Sequence, residues 1–151
     1  MDCKRYRKIK TTTFKNSLPE VIVRIVLDTN VLLTCLSPKS ADFWIFERFL
    51  NEDFSLCVTT EIMAEYEEII SREMGTAASN DLMQVLVNAP NVELVTTWFR
   101  WSLIIADPDD NKFVDCAVAA DAKYLVSEDR HFKVLKKKKR FLDSCRLQWL
   151  D

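Results

Sequence analysis

A run of β-branched and other apolar residues near the start of the chain, residues 21–27, constrains the fold more than any other feature of the sequence. Its apolar character is nearly continuous rather than alternating, which is typical of a strand buried on both faces in a parallel sheet. The run stops at Asp28, Thr29 and Asn30. A carboxylate is therefore predicted at the carboxyl end of a buried strand.

Three further segments have strand character and alternate with segments of helical periodicity. The strands are predicted at residues 55–59, 92–96 and 123–127. Helices are predicted from a cap at Ser40 or Asp42 through Leu50, from a cap at Thr60 to Gly75, from a cap at Asn80 through Val87, and from Asp109 through Ala122. This alternation predicts an α/β fold with a central parallel sheet between two layers of helices, in which ligands bind at the carboxyl ends of the strands.

Composition excludes several classes of function. The 151 residues contain 21 Lys and Arg against 23 Asp and Glu, a net charge of −2 that suits one soluble domain. Gly75 is the single glycine, where average usage would give roughly ten, so Gly-rich phosphate loops are excluded. The single histidine, His131, excludes zinc sites built from several histidines.

Cysteine usage and hydropathy predict the compartment. Five cysteines occur singly without a C-x-x-C pair, which favours reduced thiols in the cytoplasm. We expect no membrane span and no secretory signal, because the apolar runs are too short for either.

Basic residues concentrate at both ends of the chain, and they divide it into three parts. Residues 1–20 are predicted to form a disordered basic arm, residues 21–135 the folded domain, and residues 136–151 a basic C-terminal segment of uncertain structure. Either basic end would serve as a solvated tail or as a contact for nucleic-acid phosphates.

Acidic residues occur where a parallel sheet would bring them together. Asp28 and Asp129 follow strands, Asp110 and Asp115 lie near the start of a helix, and Glu65 lies beside the apolar stripe of another helix. Such a cluster needs a counter-charge to remain ionised. Mg²⁺ or Mn²⁺ supplies that charge through oxygen ligands, and it can activate water for attack on a phosphodiester.

The residues that end these strands and open these helices resemble those of the PIN-domain nucleases. The resemblance covers residues 25–32, 59–66 and 107–129 in the family's order, and it extends to the bacterial and archaeal branch described as toxins of toxin–antitoxin pairs. It implies a three-layer α/β/α PIN-like fold and a metal-dependent endoribonuclease that prefers single-stranded RNA. It also implies a small antitoxin as partner, and family members often form homodimers.

The resemblance assigns roles to individual residues. Asp28 matches the first metal-binding acid of the family, Glu65 the second and Asp129 the last. Thr29 and Asn30 match positions that orient the first acid or a metal-bound water.

The sequence does not identify a single residue as the third metal-binding acid. The family's usual spacing from Asp129 leads to Asn111, which is not an acid. We expect Asp115 to replace or supplement this ligand, with Asp110 as the alternative.

Two departures from the family leave other functions open. The basic arm is additional, and the lysine-rich end lacks the expected apolar closing strand, so a fifth strand is predicted to be missing or altered. A PIN-like domain that binds RNA or protein without cleaving is one alternative. A phosphotransfer enzyme with Asp28 as phospho-acceptor is another, although related phosphatases need an acid where this chain has Asn30.

Overall fold

A five-stranded parallel sheet forms the centre of the molecule. The computed structural model describes residues 22–137 and 146–148. In chain order the elements are β1 (Arg24–Leu27), α1 (Thr29–Cys35), α2 (Phe43–Leu50), β2 (Ser55–Val58), α3 (Thr60–Met74), α4 (Thr76–Asn88), β3 (Val92–Leu94), α5 (Asn111–Ala119), β4 (Tyr124–Val126) and β5 (Arg146–Gln148). Short 3₁₀ helices span Pro108–Asp110 and Arg130–Lys137.

The strand order is β3-β2-β1-β4-β5, and all neighbours run parallel. From β1 the chain adds β2 and then β3 on one side. It then crosses to the other side of β1, where β4 pairs with β1. Leu27 pairs with Val126, so the residues that follow these two strands lie side by side. The predicted three-layer α/β/α class is confirmed, and ligands bind at such a crossover in folds of this class.

The core lies between the sheet and the helices that cover it. Tyr66 of α3, Phe113 of α5 and Leu125 of β4 have essentially no exposed surface. In β1 only Val26 and Leu27 are fully buried, whereas Arg24 is exposed. The strand is therefore shorter than the apolar run suggested.

Helix ends differ from the sequence predictions at several points. The hydroxyl of Thr59 accepts a hydrogen bond from Ile62 N at 3.2 Å, so Thr59 caps α3, and the prediction of Thr60 was wrong by one residue. Gly75 ends α3 as predicted, with φ of 91°. The same glycine also begins α4 at Thr76, so the predicted cap at Asn80 was wrong.

Two helical elements near the predicted site were also placed incorrectly or missed. α1 begins directly after Asp28, where the sequence predicted only the end of a strand. The predicted helix from Asp109 through Ala122 is instead a 3₁₀ turn at Pro108–Asp110 followed by α5. Asp107 caps that turn by accepting a hydrogen bond from Asp109 N at 3.1 Å.

A fifth strand is present, contrary to the expectation that it would be missing or altered. β5 pairs in parallel with β4 through Leu125 and Leu147. The basic arm of residues 1–20 and the basic stretch at residues 138–140 lie outside the described residues.

Three of the five cysteines lie in the described part of the chain. Cys35, Cys57 and Cys116 are buried free thiols. Among residues 22–137 and 146–148, every helix is too short or too polar to cross a membrane.

Candidate functional site

The site begins where β1 and β4 end side by side. Asp28 follows β1 and is only 5% exposed. Ser127 follows β4, and its hydroxyl donates to Asp28 Oδ2 at 2.7 Å. The same hydroxyl oxygen accepts from the backbone N–H of Asp129 at 2.9 Å. One buried serine therefore positions both acids that the sequence placed at strand ends.

Asp28 has an unusual environment for a carboxylate. Burial raises its pKa above the ordinary value, and the negative charges of Asp129 and Glu65 raise it further. Hydrogen bonds from Ser127 and from the backbone of Thr29 oppose this rise. The pKa is raised on balance, so the ionised form of this carboxyl is disfavoured, mainly by its burial.

Glu65 approaches the same region from α3. It is half-buried, as its place beside the apolar stripe predicts, whereas Glu61 on the same helix is exposed. Thr29 donates to Glu65 Oε1 at 2.6 Å, so the threonine after Asp28 orients the second acid. Asn30 follows it in α1 and is exposed.

Lys112 of α5 forms an ion pair with Glu65 Oε2, and its ammonium lies 3.7 Å from Asp109 Oδ1. Burial alone would lower the pKa of Lys112, but the hydrogen bond and charge of Glu65 outweigh burial, and the pKa is raised. Lys112 therefore stays charged at neutral pH and neutralises part of the acidic cluster.

His131 joins the acids of two other segments. Its Nδ1 lies 3.3 Å from Asp110 Oδ2 and 3.3 Å from Asp129 Oδ1. Burial raises the pKa of Asp110 to about 6, with added contributions from the charges of Asp107 and Asp28. Potential ligand atoms of Asp107, Asp110 and His131 all lie within 4.8 Å of one another.

Asn111 and Asp115 project from one face of α5, as their spacing predicts, but they bind the backbone of residues 101–104. Asn111 Oδ1 accepts from Ile104 N at 2.8 Å, and Asn111 Nδ2 donates to Ile104 O at 2.7 Å. Asp115 Oδ1 accepts from Trp101 N at 2.9 Å. Burial raises the pKa of Asp115, whereas the Trp101 hydrogen bond and the charge of Arg100 lower it.

A groove of ≈ 700 Å³ runs beside these acids. Seven carboxylates and two basic side chains line it, a formal charge of −5. Glu65, Asp110, Asn111 and Asp115 all line this groove, whereas Asp129 and the buried Asp28 do not.

The residues present fit a divalent cation. Asp28 is buried with a raised pKa, and Asp110 and Asp129 converge on one imidazole. Oxygen ligands are those that Mg²⁺ and Mn²⁺ prefer, and a bound cation would supply the positive charge that these carboxylates lack.

Sequence reasoning missed three residues of the site. Ser127, Lys112 and His131 contact the predicted acids, but none carries a motif of its own. Lys112 and His131 lie within three residues of predicted acids, and that proximity was the available signal.

Residues 24–131 match the PIN domain family. In a comparison with solved structures, the chain is similar to the crystal structure of VapBC2 from Rickettsia felis bound to a DNA fragment from their promoter. The TM-score is 0.57 and the sequences are 14% identical, with 85% of this chain and 100% of that chain covered. A comparison with curated proteins finds no match.

Proposed function

Because the chain belongs to the PIN-domain family, we propose that it is a Mg²⁺- or Mn²⁺-dependent endoribonuclease that cleaves single-stranded RNA. The observation that carries this proposal is that Asp110 and Asp129 both lie 3.3 Å from His131 Nδ1, while the charges of Asp28 and Asp129 act on Asp110. Burial, together with neighbouring negative charges, raises the pKa of Asp28 and of Asp110, and a divalent cation would stabilise both as carboxylates.

We assign the cation to Asp28, Glu65, Asp110 and Asp129. At these residues Mg²⁺ or Mn²⁺ would supply an activated water and charge stabilisation for the leaving oxygen. Asp110 is preferred to Asp115 as the third acid, because Asp110 shares His131 with Asp129, whereas Asp115 Oδ1 is already bonded to Trp101 N. Asp115 remains the alternative.

The surrounding residues hold these acids in place. Ser127 positions Asp28 and Asp129 together, and Thr29 orients Glu65. Lys112 neutralises Glu65 while the protein is metal-free. These contacts fix the acids before substrate arrives, which lowers the cost of organising the site.

An antitoxin protein is the proposed partner, and the cytoplasm the proposed compartment. The structural neighbour is a VapBC2 assembly, and the groove's formal charge of −5 suits a basic segment of a partner protein. The buried free thiols Cys35, Cys57 and Cys116 are consistent with a reducing compartment.

The proposal is tested by the initial rate of cleavage of a single-stranded RNA with Mn²⁺, with Mg²⁺ and with EDTA. We expect cleavage only with metal, and a loss of at least about 100-fold in Asp28→Asn. Asp53→Asn, which removes an exposed acid paired with Arg48, is the matched control and should retain the wild-type rate.

Two results would contradict the proposal. Cleavage that persists in EDTA and in Asp28→Asn would exclude the metal-dependent mechanism. RNA binding without cleavage, together with no heat of Mn²⁺ binding by calorimetry, would instead favour the alternative of a catalytically inactive PIN-like binding domain.

A further inference from the structure

The segment between β3 and the 3₁₀ turn at Pro108–Asp110 carries an unusual group of exposed aromatic side chains. Trp98 is 92% exposed and Phe99 is 62% exposed. An aromatic side chain that stays exposed contributes little hydrophobic free energy to folding. The stability of the isolated protein therefore does not explain the positions of these two residues.

This segment is nevertheless fixed to the candidate site. Trp101 N donates to Asp115 Oδ1 at 2.9 Å, and the backbone of Ile104 forms two hydrogen bonds with Asn111. Between these anchors Ser102 has φ of 49°, a conformation that non-glycine residues adopt only when the surroundings enforce it. Trp98 and Phe99 directly precede this anchored stretch of backbone.

Phe99 is also supported from one side. Its ring packs edge-on against Trp101 with centroids 4.7 Å apart, and Trp101 packs partly against the core. Such an arrangement holds the Phe99 ring in one orientation while leaving most of its surface open. A supported, exposed ring is suited to stacking against a flat ligand.

The segment leads into the wall of the acidic groove. Arg100 and Ser102 line the same groove as Glu65 and Asp110, so Trp98 and Phe99 lie in sequence directly before the groove wall. Arg100 is exposed and pairs with Glu61 Oε1 at 3.1 Å, so a phosphate would have to displace Glu61 to contact it.

The negative charge of the groove favours RNA binding through base stacking over binding through phosphate contacts. With a formal charge of −5, the groove repels a polyanion in the absence of metal, so phosphate contacts alone would bind RNA poorly. Base stacking on aromatic side chains is independent of that charge and is open to unpaired bases, which expose their faces.

We propose that Trp98 and Phe99 form a stacking platform for unpaired bases of the RNA, next to the carboxylate site. This inference rests on the proposed ribonuclease function and specifies how that site selects single strands. The platform supplies binding and position, whereas the acids supply the chemistry.

The test compares binding of two labelled oligonucleotides of equal length and charge, a mixed-sequence single-stranded RNA and the same RNA with abasic ribose at successive internal positions. Fluorescence anisotropy in EDTA measures binding without metal-dependent cleavage. We expect the wild type to bind the intact RNA roughly 5- to 100-fold more tightly, and Trp98→Ala with Phe99→Ala to abolish this preference.

Three further variants separate stacking from other roles. Trp98→Tyr keeps an aromatic ring and should retain most of the preference, whereas Trp98→Leu keeps an apolar side chain and should lose it. Trp44→Ala removes a half-exposed tryptophan that lines a different, apolar cavity beside α2, and it should bind as the wild type does. In Mn²⁺ the platform variants should raise KM with little change in kcat.

The outcomes distinguish this inference from the proposed function. A wild type that does not prefer intact RNA, or that binds neither oligonucleotide, overturns the platform. So do platform variants with unchanged RNA binding and an altered oligomeric state, which would assign Trp98 and Phe99 to a protein interface. A wild type that prefers intact RNA but never cleaves it would retain the platform and reject the nuclease.

Discussion

Ser127 connects the two strand ends that carry the acids, and its hydroxyl has both of its hydrogen-bonding functions in use. We expect Ser127→Ala to destabilise the protein by about 1–2 kcal/mol, because the Asp129 N–H loses its partner in a buried site. Removing the donor to Asp28 should also raise the pKa of that carboxyl further.

The same substitution should change the pH dependence of cleavage. The acidic limb of the pH–rate profile in Mn²⁺ should move to higher pH in Ser127→Ala, since Asp28 then needs a higher pH to ionise. Ser127→Thr keeps the hydroxyl and should keep the wild-type profile. An unchanged profile in the alanine variant would show that Ser127 has only a packing role.

Asp110 makes the stability of the metal-free protein depend on pH in an uncommon direction. Its pKa is about 6 in the folded protein, above an ordinary value of 3.8, so the folded state binds more protons between these values. The stabilisation from this group is therefore present below about pH 4 and is lost as the pH rises through about 6.

Thermal unfolding in EDTA can measure this effect. Relative to Asp110→Asn, the wild type should lose about 1–3 kcal/mol of stability between pH 4.5 and pH 7.5. Asp81→Asn, on α4, provides the control for removal of one charge. If the wild type and Asp110→Asn keep a constant difference across this range, the pKa of Asp110 is not raised by folding.

The residues that could be predicted from the sequence are those whose position follows from one element. Asp28 follows a strand, and Glu65 lies beside an apolar stripe, so local pattern placed both. Ser127 and Lys112 act through contacts between segments far apart in sequence, which local pattern does not determine.

Among helices and strands too, local sequence predicts some features, whereas tertiary contacts determine others. β1 to β4 were located along the chain because each lies within a short, mainly apolar run, whereas β5 was not predicted. The predicted strands were too long, because a strand extends only over the residues that pair with a neighbour. β1 begins at Arg24, where its pairing with Ser55 of β2 begins. α1 escaped prediction because it begins immediately after Asp28 and has no side-chain cap.

α5 is attached to the segment that precedes it mainly through Asn111. The amide donates to the backbone oxygens of Ile104 and Pro108, at 2.7 Å and 3.1 Å, and its oxygen accepts from Ile104 N. The resemblance to the PIN family implies an acid at this position. Here, however, the surrounding backbone offers two carbonyl oxygens and one N–H, which require a side chain with both a donor and an acceptor. An amide therefore meets this requirement, whereas a carboxylate cannot donate to either carbonyl.

We expect Asn111→Asp to destabilise the protein by about 2 kcal/mol and to lower the Tm by roughly 4–8 °C. The loop of residues 101–104 would loosen, so cleavage should fall rather than rise. Asn88→Asp, at the exposed end of α4, is the matched control. Increased cleavage in Asn111→Asp would identify this position as a missing metal ligand instead.

Across the whole molecule, charge is distributed unevenly despite a net charge of only −2. α3, the segment before α5 and α5 itself bring seven carboxylates and two basic side chains to one groove. Asp28 and Asp129, which follow β1 and β4, add their negative charges to the field at Asp110. Function at such a groove requires neither glycine loops nor several histidines, which agrees with the single Gly75 and the single His131.

This concentration of acids should make the fold as a whole sensitive to divalent cations. Mn²⁺ at about 100 times its Kd should stabilise the folded state by roughly 2.7 kcal/mol, because the acids converge only when the chain is folded. For a domain of this size the Tm should rise by roughly 5–10 °C, and EDTA should reverse the rise. Asp28→Asn should lose most of this response while Asp53→Asn keeps it, so an equal response in the two variants would place the cation elsewhere.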